Sequence, residues 1–155
     1  CKDMKRTVDF YSGILGMPLT KTIDLPNGMG QHFFFDIGKG DSLAFFWFPD
    51  APESQPGVTH PEAMVGKGSI VSAHASMNHI AFDVPEAKIE EYQQRLEEAG
   101  VEVTKVVNHD DSPTQASPTI TDSTFVRSVY FRDPDGIMLE FASWTREMTA
   151  NDVDW

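Results

Sequence analysis

The chain has 155 residues, 40% of them hydrophobic, which suffices for one compact domain or two small modules and argues against intrinsic disorder. With 12 Lys and Arg against 24 Asp and Glu, a formal net charge of −12 repels phosphate backbones and anionic bilayers, which excludes nucleic acid and membrane surfaces as partners. A single cysteine rules out an intrachain disulfide framework, no secretory pattern is present, and the longest apolar run, residues 43–49, is too short to cross a bilayer, so the expectation is a cytoplasmic protein.

In chain order, Asp3 is placed to cap a helix whose apolar residues Met4, Val8, Tyr11 and Leu15 recur at helical spacing, with Gly16 as its stop. An extended stretch follows over 18–24, then a turn at Pro26-Asn27-Gly28, a strand over 31–37, a second turn at Gly38-Lys39-Gly40 and a strand over 42–48. Residues 51–76 are rich in Pro, Gly, Ser and Ala without sustained periodicity and read as a linker or a functional lid. A strand over 77–84 opens the second half. Pro85 then starts a helix with Ile89, Tyr92, Leu96 and Ala99 down one face, and Gly100 ends it.

At this point the first half's pattern returns. The stretch from Gly16 to Ile23 aligns with that from Gly100 to Val107, sharing Gly, Thr and Lys and the alternation, and Asp41-Ser42-Leu43-Ala44-Phe45-Phe46 aligns with Asp135-Gly136-Ile137-Met138-Leu139-Glu140. The chain is an internal duplication, with a first module over 1–50, a linker over 51–76, a second module over 77–145 and a tail over 146–155. The second copy reads strand, helix and three strands. The first copy lacks its leading strand in the numbered residues, so the counterpart of His79 is expected before Cys1.

Tandem βαβββ modules, with "MNHIAFDV" opening the second and "FRDPDGIMLEF" closing it, resemble the vicinal oxygen chelate superfamily, which includes glyoxalase I, bleomycin-resistance proteins, fosfomycin-resistance enzymes and extradiol dioxygenases. The resemblance implies an α+β fold whose paired modules curl a mixed sheet into a cup around a divalent metal. It carries metal ligation over to His79 and Glu140. A carboxylate among apolar neighbours is costly alone and is stabilised by a cation and an imidazole. Core packing for the histidine and a solvent-facing position for the glutamate are the ordinary alternatives. Phe46 stands where a first-module carboxylate ligand would be, which points away from glyoxalase I and toward two histidines and one carboxylate, a set that suits Fe(II) or Mn(II). His32, His60 and His74 are the substitutes for a ligand not supplied upstream.

Tyr130, ten residues before Glu140, matches the catalytic tyrosine of the extradiol signature. That signature also places a histidine several residues earlier, where this chain has Asp122-Ser123-Thr124-Phe125-Val126. Phe46, in an aromatic set with Phe33, Phe34, Phe35, Phe45, Trp47 and Phe48, is a candidate to line the substrate cavity. Arg127 is a candidate to neutralise a substrate anion, with a surface ion pair as its alternative. His109-Asp110-Asp111 has the residue types for weak cation binding but reads better as an exposed polar turn. The implied function is a metal-dependent enzyme, dioxygenase-like, acting on a small apolar or aromatic oxygenated substrate. The alternatives are a lyase or isomerase using Zn or Ni, and a metal-free ligand-sequestering protein. A homodimer is consistent with the family.

Overall fold

The structure, a computed structural model, describes residues 1–153. The chain is an α+β protein that divides into two compact units, Cys1–Gln55 with Asp133–Ile137, and Pro56–Arg132 with the chain from Met138 onward. The Pro- and Gly-rich connection therefore groups with the second unit from residue 56.

In the first unit, Asp3 caps α1 (Met4–Val8) by accepting the Arg6 N–H at 3.0 Å. The helix then widens into a π-helical turn, Asp9–Ile14, in which Leu15 N–H reaches Phe10 O. The widened turn puts the adjacent residues Phe10 and Tyr11 both into the core, whereas Met4, Val8 and Leu15, the stripe expected from regular spacing, are only half-buried. A three-stranded antiparallel sheet follows, in the order β1 (Leu19–Asp24), β2 (Gln31–Gly38), β3 (Asp41–Trp47). Period-two alternation sorts its aromatics. Phe33, Phe35 and Phe45 are buried together, and Tyr11 packs on the last two, its ring centroid 4.9 Å from that of Phe45. His32, Phe34, Phe46 and Phe48 occupy the other face, where the His32 and Phe46 rings stack at 3.9 Å. The Tyr11 hydroxyl donates to buried Asp133 Oδ2, and burial raises the Asp133 carboxyl above its ordinary range.

The second unit holds a four-stranded mixed sheet in the order β4 (His79–Asp83), β7 (Met138–Trp144), β6 (Val126–Arg132), β5 (Val107–His109). β4 runs parallel to β7 because α2 (Ile89–Glu98), entered from Pro85 through a short 3₁₀ turn, carries the chain across the sheet from β4 to β5, from which β6 and then β7 return antiparallel. Ile89 and Leu96 of α2 are fully buried, and Tyr92 packs on Phe141, so one sheet face is the core: Val129, Phe131, Leu139 and Phe141. The alternation over 101–107 predicts a continuous strand, but only a bridge at Val103 forms before β5. Thr104 causes the interruption. Its backbone N–H bonds Tyr130 O while its hydroxyl accepts the Tyr130 N–H, so a side chain replaces one backbone group of the ladder.

Candidate functional site

The site lies on the second unit's other face, and the β6–β7 hairpin aims its residues. At the turn, Asp133 Oδ1 accepts the N–H groups of Asp135 and Ile137, both at 2.9 Å, and Gly136 takes the positive φ of 91° that closes the loop. Arg132 is thereby set opposite Met138 and Tyr130 opposite Glu140. On the far side of β7, the parallel register pairs Ala81 with Glu140 and His79 with Met138, so His79 shares a face with Glu140.

His79 Nε2 lies 3.0 Å from Glu140 Oε2. The carboxylate is buried, with the residue 6% exposed, while the imidazole is 38% exposed at the rim. Each group has a second partner. Ser128 donates its hydroxyl to Glu140 Oε1, and His79 Nδ1 lies 3.0 Å from Asn78 Oδ1. The Asn78 amide nitrogen donates to Ile70 O at 2.7 Å, so its oxygen is the end that faces the ring, and His79 Nδ1 is the protonated nitrogen. The Nε2 lone pair then faces a carboxylate oxygen, an arrangement that needs a positive charge between the two atoms. Without a metal, that charge is a proton. The Glu140 hydrogen bond raises the His79 pKa against the opposing effect of burial. Burial pushes Glu140 up, but hydrogen bonds from His79, Ser128 and Tyr130 outweigh it and hold the carboxyl below its ordinary value.

A metal ion fits the same geometry. Two donors about 2.1 Å from one cation and at right angles are separated by about 3.0 Å. Asn78 and Ser128 supply the outer hydrogen bonds that fix a ligating imidazole and carboxylate. One imidazole with one carboxylate suits Mn(II), Fe(II), Zn(II) or Ni(II). Among the described residues no group of three His, Cys, Asp or Glu is placed to hold a metal, so His79 and Glu140 are a two-donor set. His60 is buried with Nδ1 on the Thr59 hydroxyl, and burial followed by the charge of Arg132 lowers its pKa. His74 is exposed, and His32 is stacked in the aromatic face of the first unit.

Tyr130 stands beside the pair, its ring edge-on to His79 at 6.0 Å. Burial, and then the Glu140 carboxylate, push its phenol well above the usual value. Its hydroxyl meets His109 Nε2 at 3.0 Å. This corrects the reading of His109-Asp110-Asp111 as an exposed turn: His109 ends β5, half-buried, and Asp110 is buried, accepting Ser112 N–H and the Ser117 hydroxyl. The connecting segment also reaches the site, because Met64 packs in one cluster with Tyr130 and Met138.

Arg127 does not join these residues. It alternates onto the opposite face, where Nη2 pairs with Glu90 of α2 and Nε donates to Asn108 Oδ1, so its charge serves an ion pair and not the site. The cation on the site face is Arg132, which gives Nη2 to Pro61 O and keeps its buried Nε without a hydrogen-bond partner. Phe46 lies in the first unit, 43% exposed on the face with His32. Sequence reasoning missed Asn78 and Ser128, and set His109 in an exposed turn away from the site. The first adjoins His79, and the second shares strand parity with Tyr130, so both carried a local signal. His109 carried none.

The family model described as Glyoxalase/Bleomycin resistance protein/Dioxygenase superfamily matches residues 1–141. A lactoylglutathione lyase of Pseudomonas aeruginosa is 28% identical, over 95% of this chain and 81% of that protein. Among solved structures, a glyoxylase/bleomycin resistance protein/dioxygenase domain from Frankia sp. EAN1pec superposes with a TM-score of 0.64 at 16% identity, covering 93% of this chain and 91% of its own. A fosfomycin resistance protein FosX variant from Listeria monocytogenes, complexed with Mn(II) and 1S,2S-dihydroxypropylphosphonic acid, superposes with a TM-score of 0.60 at 21% identity, covering 93% and 85%.

Proposed function

The chain belongs to the glyoxalase/bleomycin resistance protein/dioxygenase superfamily, and on that premise we propose that it is a divalent-metal-dependent enzyme acting on a small oxygen-bearing substrate. The observation that carries the reading is the imidazole and carboxylate acceptor pair, 3.0 Å apart, each fixed by an outer hydrogen bond. His79 and Glu140 would hold the ion, Mn(II) by analogy with the FosX complex, leaving its other positions to substrate, solvent or a donor outside the described residues. The metal would supply Lewis acidity, making an adjacent carbon acidic or electrophilic. Tyr130 would give or take the proton at its hydroxyl oxygen, and Ser128 would keep Glu140 oriented and ionised. Buried Met64 would exclude water from one side of Tyr130.

This chemistry is of the lyase, isomerase or addition type, and the lactoylglutathione lyase relative together with the Tyr130–His109 contact favours it. A second reading is a dioxygenase. Tyr130, ten residues before Glu140 and paired with it across the sheet, favours that reading. One experiment separates them: manganese- or iron-loaded protein is offered α-hydroxycarbonyl, epoxide and catechol probes in deuterated buffer over an oxygen electrode. Metal-dependent conversion with solvent deuterium incorporated and no oxygen uptake is the expected result. Oxygen consumed in step with product supports the dioxygenase, and protein that takes up no metal while binding the probes supports the sequestering alternative.

A further inference from the structure

We propose that Arg132 is a specificity-determining residue, which binds an oxyanion carried by the substrate, a carboxylate or a phosphonate, at a place on the site face separate from the metal pair. Register puts it there. Arg132 is two residues from Tyr130 on β6, so both side chains leave the same face of the sheet. Met138 pairs with Arg132 on one side and with His79 on the other, so Arg132 and His79 flank this buried methionine at one level of the sheet. Two strand spacings separate them, about 10 Å at Cα. A small molecule that meets the metal with one end reaches the guanidinium with the other.

The guanidinium lacks an anionic partner. Its one hydrogen bond among the described residues runs from Nη2 to Pro61 O at 2.9 Å, and its Nε is buried with no partner at all. Although the chain carries a net charge of −12, the carboxylates around Arg132 are taken. Glu140, on the same face, is held by His79 and Ser128, and Glu102 is bonded to Lys67 at 2.6 Å. Burial, and then the charge of Arg132, lower the His60 pKa, so the neighbouring imidazole is neutral. A cation drawn half out of water without a counter-charge is costly, and a backbone carbonyl offsets only part of that cost. The ligand brings the missing partner. Arg132 is half-buried, so an oxyanion reaches its outer N–H groups from solvent and offsets the charge of a group whose Nε lies inside. The planar fork of donors matches carboxylate and phosphonate oxygens and favours them over a neutral amide. That the oxyanion belongs to a substrate rests on the proposed function, but the capture of an oxyanion by Arg132 does not, and it is tested without metal.

The experiment follows the arginine Nε–H signals of chelator-treated protein by ¹⁵N NMR as glycolate, methylphosphonate or neutral glycolamide is added at millimolar concentration in low salt. Arg132 is assigned by the signal lost in Arg132→Lys, and Arg127 by that lost in Arg127→Gln. The expected result is a saturable shift of the Arg132 signal with an oxyanion and none with glycolamide, while Arg127, already paired with Glu90, stays in place. The oxyanion that saturates at the lower concentration identifies the group the substrate carries. Read from the backbone amides of β6, affinity should fall about 10- to 100-fold in Arg132→Gln, the loss of a charge-assisted hydrogen bond, and less in Arg132→Lys, which keeps the charge. An Arg132 signal moved by neither oxyanion, moved equally by glycolamide, or moved in parallel with Arg127 overturns the proposal. A Mn(II) titration of the parent keeps the two readings apart. Oxyanion binding without Mn(II) binding overturns the metal reading and supports this one, and Mn(II) binding without oxyanion binding does the reverse.

Discussion

Replacing His79 by Ala in the metal-free protein removes the positive partner of a buried carboxylate, and the resulting loss of stability should depend on pH in a defined way. The His79 pKa is raised from 6.5, so its contribution is complete below about pH 6.5 and is lost as pH rises through the folded value. Glu140 is lowered from 4.5, so its contribution is complete above about pH 4.5 and is lost as pH falls through the folded value. The pair therefore stabilises most between these limits. Breaking a fully buried pair costs about 3–5 kcal/mol, but the imidazole is 38% exposed and solvent screens it, so about 1–2 kcal/mol is expected near pH 5.5. For a chain of this size that is roughly 2–8 °C in melting temperature. Differential scanning fluorimetry of parent and variant in chelator at pH 5.5 and pH 9 reads the difference directly. A gap that narrows at pH 9 is predicted, and a gap of equal size at both pH values, or none at either, refutes the ion-pair argument.

Two further outcomes follow from the same geometry. Because the cation would replace the proton held between His79 Nε2 and Glu140 Oε2, Mn(II) binding below the raised His79 pKa should release about one proton per site, measured by calorimetry in buffers of different ionisation enthalpy. In the first unit, Gly30 has φ 141° and a Cβ there would fall 1.9 Å from Trp47 O, so Gly30→Ala should cost about 2–4 kcal/mol in denaturant unfolding, where an unchanged midpoint would contradict the packing of β2 on β3.

Much of the fold was legible because the duplicated segments repeat their turn residues and alternation, and alternation fixes which face of a strand each residue takes. The same rule, applied strictly, separates Arg127 from Tyr130, since residues three apart on a strand point to opposite faces. The π-helical turn after Val8 was not legible, because it answers to the packing of Phe10 and Tyr11 in the core and not to local propensity. Nor was the break at Thr104, where a hydroxyl substitutes for a backbone acceptor. His79 and Glu140 were legible as a pair through motif position, and the structure brings their tips together. His109 lies 21 residues from Tyr130 and meets it only through the β5–β6 register, so nothing in its neighbourhood of sequence announced the contact.

The direct measurement is Mn(II) binding by chelator-treated protein, followed by electron paramagnetic resonance with parent, His79→Ala and Glu140→Gln side by side. About one ion per chain in the parent, weakened at least tenfold in each variant while Arg127→Ala binds as the parent does, is the predicted pattern. Equal binding by parent and both site variants, or no binding by the parent, contradicts a metal held by this imidazole and this carboxylate.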